Sequence, residues 1–173
     1  MPARIRVLAI VAISVWTALT AHPAKADTGD KAGWSVTVDP RKRAFLYYVP
    51  TANDARLLTI GCLRDVDSFT IFSTGLKPGI NSDGAAALRL SSGKAQYGVD
   101  GKLETDQAAG TQTFDINIDA DAKELGKIAA RLLPVLESSS PITLNIGAAE
   151  FTLPTSGIVQ PLSRFKIICL GHR

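Results

Sequence analysis

Cys62 and Cys169 are the residues of this chain with the most chemistry open to them. They stand 107 positions apart, so they form no CxxC redox motif. Each ends an apolar stretch, Leu57-Leu58-Thr59-Ile60-Gly61-Cys62 and Phe165-Lys166-Ile167-Ile168-Cys169. In an exported chain an even cysteine count predicts pairing, here one buried Cys62–Cys169 disulfide. The alternatives are two free thiols or an intermolecular pair. Asp65 and Asp67 flank Val66 and could serve acid–base work with Glu104 or Asp106, as in a hydrolase. Alternating carboxylates also mark the solvated face of a strand. The run from Asp115 to Asp121 starts like a calcium loop, but Ala120 and Gly126 occupy the positions where an EF-hand needs Gly and Glu. Its apolar alternation predicts a strand instead.

Other chemistry is thin. His172, next to last, is the only histidine beyond residue 26. No Ser–His or Cys–His catalytic pair and no zinc site is expected around it. Neither GxGxxG nor GxxxxGK[ST] occurs. No catalytic residue, metal ligand or cofactor is expected. The densest charge cluster is Arg41-Lys42-Arg43, after Pro40. It is the candidate partner-binding site, suited to an acidic partner. The glycine-rich segment 75–84 is expected to be a surface loop. If both lie at the same end of the fold, they form a rim beside a cationic spot.

The amino terminus sets the compartment. Arg4 and Arg6 precede an apolar run to Leu19, and Ala24-Lys25-Ala26 is a small-x-small cleavage site. This is the layout of a secretory signal over residues 1–26. Residues 27–173 then form a single exported domain, periplasmic or secreted, with no membrane span of its own. Loss of Arg4, Arg6 and Lys25 from 19 basic residues leaves 16, equal to the 16 acidic ones. A neutral domain has no global attraction to nucleic acid. The sequence is silent on oligomeric state.

The elements that must position these residues are mostly strands. Gly33–Val38 alternates, with Trp34, Val36 and Val38 on one side, and Trp34 reads as a core anchor. Strands are also expected over 43–49, 56–63, 66–73, 85–90, 95–99, 102–105, 113–118, 142–146 and 151–153. Asp100-Gly101 signals a hairpin. Tyr47 and Tyr48 point to opposite faces, so at most one joins the core. Leu125, Ile128, Ala129, Leu132 and Leu136 follow helical spacing, begun by Asp121 with Glu124 and ended or kinked by Pro134. After Pro161, the stripe Leu162, Phe165, Cys169 favours a last helix over a strand. The fold class is therefore α+β and β-rich: a mostly antiparallel twisted sheet, sandwich or partly closed barrel, with one or two helices near the C-terminus.

Three of these features also occur together elsewhere. Gly33-Trp34-Ser35-Val36-Thr37-Val38-Asp39 opens the domain, Leu58-Thr59-Ile60-Gly61-Cys62 follows, and a hairpin, short helix and terminal Cys close it. In this the chain resembles small periplasmic proteins of Gram-negative bacteria, including accessory proteins associated with type VI secretion. It departs from them where Leu63 separates Cys62 from Arg64. The resemblance implies a non-enzymatic envelope protein and transfers no site residue. The expected function is binding of another envelope protein or a cell-wall component. One alternative is a small apolar-ligand carrier with Phe69, Phe72, Phe114 and Leu90 lining a barrel-like cavity. The other is a hydrolase using the paired carboxylates.

Overall fold

The computed structural model describes residues 31–52, 54–77 and 83–171. The expected signal, its cleavage before Asp27, and His172 lie outside the described residues. Nine strands form one curled, half-barrel sheet: β1 Gly33–Asp39, β2 Arg43–Val49, β3 Leu58–Leu63, β4 Ser68–Leu76, β5 Gly84–Ser92, β6 Ala95–Asp106, β7 Thr111–Asp119, β8 Ile142–Ile146 and β9 Ala149–Leu153. Their order is β1-β2-β3-β4-β7-β6-β5-β8-β9, and each neighbouring pair is antiparallel. Helix α1, Ala122–Leu136, lies between β7 and β8 in the chain. Helix α2, Val159–Lys166, and a π-helical turn, Ile167–Gly171, follow β9. The β-rich α+β class expected from alternation is the class observed.

The period-2 pattern decides which side chains enter the core. Trp34, Leu46, Tyr48, Leu58, Ile60, Cys62, Phe69, Ile71 and Phe114 share one buried cluster with Leu162, Phe165 and Cys169 of the C-terminal helical segment. Trp34 is the anchor its position predicts. Its ring stands 5.2 Å from that of Tyr48, and its indole N–H donates to the Pro154 carbonyl at 2.6 Å. That bond joins edge strand β1 to the residue just after edge strand β9, so the sheet curls on itself. Tyr47 takes the opposite face, beneath the Arg56 guanidinium at 4.0 Å.

One local expectation is corrected. Asp100-Gly101 makes no hairpin, because β6 runs straight through it and pairs Asp100 with Ala87 and Gly101 with Ala86. A Cβ on Gly101 would lie 2.6 Å from both the Asp115 carbonyl oxygen and the Phe114 ring. The glycine permits close approach of a neighbouring strand, a role with the same sequence signal as a turn. The reversal between β5 and β6 uses Gly93, at φ 58°, as the Ser91-Ser92-Gly93 stretch leads one to expect. Helix α1 runs through Pro134 and ends two residues beyond it, at Leu136. Those two residues, Val135 and Leu136, are fully buried.

Asp121 caps α1 as expected, accepting from the backbone N–H groups of Lys123 at 2.9 Å and Glu124 at 2.8 Å. Asp121→Ala should lower stability by ~1 kcal/mol, and Asp121→Asn by much less, in urea unfolding. The ambiguous stretch 165–168 is helical, with Leu162, Phe165 and Cys169 on one buried stripe.

Candidate functional site

The basic tripeptide is divided among three jobs. Asp39 and Arg43 close the β1–β2 turn as a strand pair. Within it the Asp39 carboxylate accepts from the Arg41 backbone N–H at 2.7 Å, and the Asp39 carbonyl accepts from Lys42 N–H at 3.1 Å. Lys42 holds φ 61°, a left-handed conformation that closes this turn. Arg43 reaches across to the β3–β4 turn and grips Asp65 with Nε and Nη2, at 2.6 to 3.0 Å. The guanidinium holds the Asp65 carboxyl below its ordinary range, and the carboxylate in turn raises Arg43. This fork-to-carboxylate geometry is structural. Arg41 and Lys42 remain exposed at the tip.

The glycine-rich loop does not join them. The chain runs from the basic turn along β2, back along β3 to the turn at Arg64–Asp67, and away again along β4. The expected loop 75–84 is shorter than its composition suggests, because Gly75 and buried Leu76 close β4 and Gly84 opens β5; the chain leaves β4 at the opposite end, where Gly75 packs against Ala55. Residues 78–82 of it lie outside the described residues. The expected rim of loop and cationic spot does not form; the neighbour of the basic turn is the Arg64–Asp67 turn, through Arg64 N–H to the Lys42 carbonyl at 3.2 Å.

The hydrolase carboxylates are likewise separated. Asp65 and Asp67 precede Ser68, which pairs with Asp119 at one end of β7. Glu104 and Asp106 pair with Thr113 and Thr111 at its other end. Nine residues of strand put these ends ~26 Å apart at about 3.3 Å per residue. Asp106 caps its own turn through the N–H groups of Ala108 and Ala109. Asp115, Asn117 and Asp119 are the exposed face of β7. Among the described residues no three His, Cys, Asp or Glu side chains converge as a metal site.

The carrier's lining set is split as well. Phe69, Leu90 and Phe114 lie in the packed core. Phe72 is on the other face of the sheet, paired with Thr59 and Asp115.

Cys62 and Cys169 are both buried and both present as free thiols. They are hydrogen-bonded to each other, which favours the Cys62 thiolate, while burial pushes the Cys169 thiol far up. The Arg64 guanidinium donates to the Cys169 carbonyl at 3.0 Å. The last turn of the chain is thus fixed to β3 by a side-chain contact and to the next turn by a cation. The sequence supplied the two cysteines; Arg64 gave no signal of this role.

One cleft uses backbone as well as side chains. It holds ≈ 400 Å³ and lies where α2 meets the β1–β2 pair, with Trp34 of β1 and Tyr47 of β2 also in its lining. Lys31, Ser35 and Val36 line one side, and Gln160, Pro161 and Arg164 the other. Sequence reasoning missed it, because it depends on which strand ends the sheet. A polar cleft of ≈ 600 Å³ between α1 and the β5–β6–β8 region includes Arg89 and Arg131. An apolar one of ≈ 650 Å³ lies between the end of α1 and α2.

Comparison with known proteins adds little to this geometry. No family model and no curated protein matches the chain. Among solved structures it is similar to the crystal structure of invasion associated protein B from Bartonella henselae, with TM-score 0.38 and 14% identity over 79% of this chain and 94% of that one. A likeness that distant bears on neither fold nor function.

Proposed function

We propose that this chain is a non-catalytic envelope protein, periplasmic or secreted, that works by holding a protein partner. The observation that carries this reading is an open sheet edge beside a filled interior. β1 pairs with β2 alone, so one side of its backbone is unclaimed by the sheet. Phe114, Leu46, Leu58, Ile60 and Ile71 are fully buried, which favours a packed core over a carrier's cavity. The scattered carboxylates give hydrolysis no support. The leader-like first 26 residues and the resemblance to periplasmic accessory proteins supply the envelope setting.

Affinity capture from the envelope fraction tests it. The wild type is compared with Arg41→Glu/Lys42→Glu, leaving Arg43 in its ion pair. The expected result is a defined partner retained by the wild type and depleted at least tenfold by the double reversal. Retention of the same partners by both proteins would remove the basic tip as a contact. Capture of nothing by either would overturn the partner-binding reading.

A further inference from the structure

The free edge of β1 carries a defined set of unpaired backbone groups. In an antiparallel ladder successive residues turn their N–H and C=O alternately toward one neighbour and the other. Arg64 N–H bonds to the Lys42 carbonyl, which extends the β2–β3 ladder and fixes its phase. Ala44, Leu46 and Tyr48 therefore face β3, and Arg43, Phe45 and Tyr47 face β1. Their partners Asp39, Thr37 and Ser35 face inward along the sheet. Trp34, Val36 and Val38 turn their backbone groups out, and none of them bonds to another element among the described residues. Val38 is also exposed in its side chain, at 42%.

The charge along this edge is mostly positive. Lys31 and Arg164 line the cleft at the Trp34–Val36 end. Arg41 and Lys42 are exposed at the other. Asp39 is the one carboxylate of β1; it accepts from the Arg41 N–H and keeps its charge, leaving these four cations in excess. A second copy of this chain is disfavoured as the occupant. Antiparallel pairing of β1 with itself about Val36 would set Lys31 opposite Arg41 of the copy, and like charges placed so repel.

We propose that β1 is the docking edge for an extended acidic peptide segment of a protein partner, which adds as a tenth strand along the free side of β1. Backbone pairing with Val36 and Val38 gives it affinity, and Lys31, Arg164, Arg41 and Lys42 select its acidic side chains. The proposal rests on the partner-binding reading and names the partner's chemistry and place.

A nine-residue peptide alternating Val and Glu is the probe, titrated by calorimetry and by amide NMR shifts. Saturable binding is expected, with shifts concentrated in β1 and α2 and weakening as salt rises. A peptide N-methylated at alternate amides, which cannot complete the ladder, should bind at least tenfold more weakly. Val38→Pro removes one outward N–H, a change an edge strand tolerates, and should do the same. Val38→Thr keeps that N–H and should bind like the wild type. Lys31→Glu/Arg164→Glu should lose the acidic peptide and gain its Val–Lys counterpart. Equal binding of the N-methylated peptide, or no saturation, would overturn the proposal. So would a concentration-dependent dimer abolished by Val38→Pro, which would make a second copy the occupant. The capture experiment reads a partner anywhere on the surface, whereas this titration reads β1 alone. A partner captured through another face would sink the edge proposal and leave the binding function standing.

Discussion

Protein recovered from an oxidising compartment should contain a Cys62–Cys169 disulfide and lose about 4 to 5 kcal/mol of stability on reduction. The thiols already touch through a hydrogen bond. Bond formation takes two electrons and two protons from the pair and passes them to a disulfide oxidant, such as oxidised glutathione, which is reduced to two thiols. The size of the effect comes from the loop. A bridge across 107 positions removes much of the unfolded chain's freedom. It also pins the π-helical turn to β3, next to the Arg64 contact with the Cys169 carbonyl. The measurement is a urea midpoint with and without reductant, beside thiol titration of the unfolded protein. Cys62→Ala should match the reduced form and be insensitive to reductant. Two titratable thiols in the unreduced native protein would refute the bridge. Because both cysteines are buried, alkylation of reduced folded protein should be slow and track local opening of the C-terminal turn.

Most strands were legible in the sequence because their apolar and polar residues alternate, although β3 is buried on both faces. Trp34, Val36 and Val38 alternate with Ser35, Thr37 and Asp39 wherever the sheet has an inside. The α1 start was legible because Asp121 and Glu124 satisfy groups only a helix leaves open. Gly101 was misread for a physical reason. A glycine that reverses the chain and one that lets Phe114 and the Asp115 carbonyl come close are the same residue in sequence. The candidate site was less legible still. Nothing in Arg41-Lys42-Arg43 says that Arg43 is held by Asp65, 22 positions on. Nor does alternation identify the strand that ends a sheet. That depends on strand order, in which β4 passes over β5 and β6 to pair with β7. The docking edge is a property of that order.

Phe114→Ala should cost about 3 to 5 kcal/mol and leave the unfolding slope unchanged. Phe114 is fully buried on β7. Its ring lies against Gly101 of β6, close enough that a Cβ there would meet it at 2.6 Å. β7 is also the strand that joins the two halves of the sheet, pairing with β4 on one side and β6 on the other. Removing the ring costs the transfer of its apolar surface and leaves a void that a strand fixed by two ladders cannot close. The same variant separates the packed-core reading from the carrier reading. A carrier already holds space for its ligand, so truncating a cavity-lining Phe would enlarge that space and cost little stability. A packed core loses the full amount, and the new void should take up a small apolar probe such as benzene that the wild type refuses. A destabilisation below about 1 kcal/mol, with benzene bound by the wild type as well as the variant, would restore the carrier and remove the filled interior from the argument for partner binding.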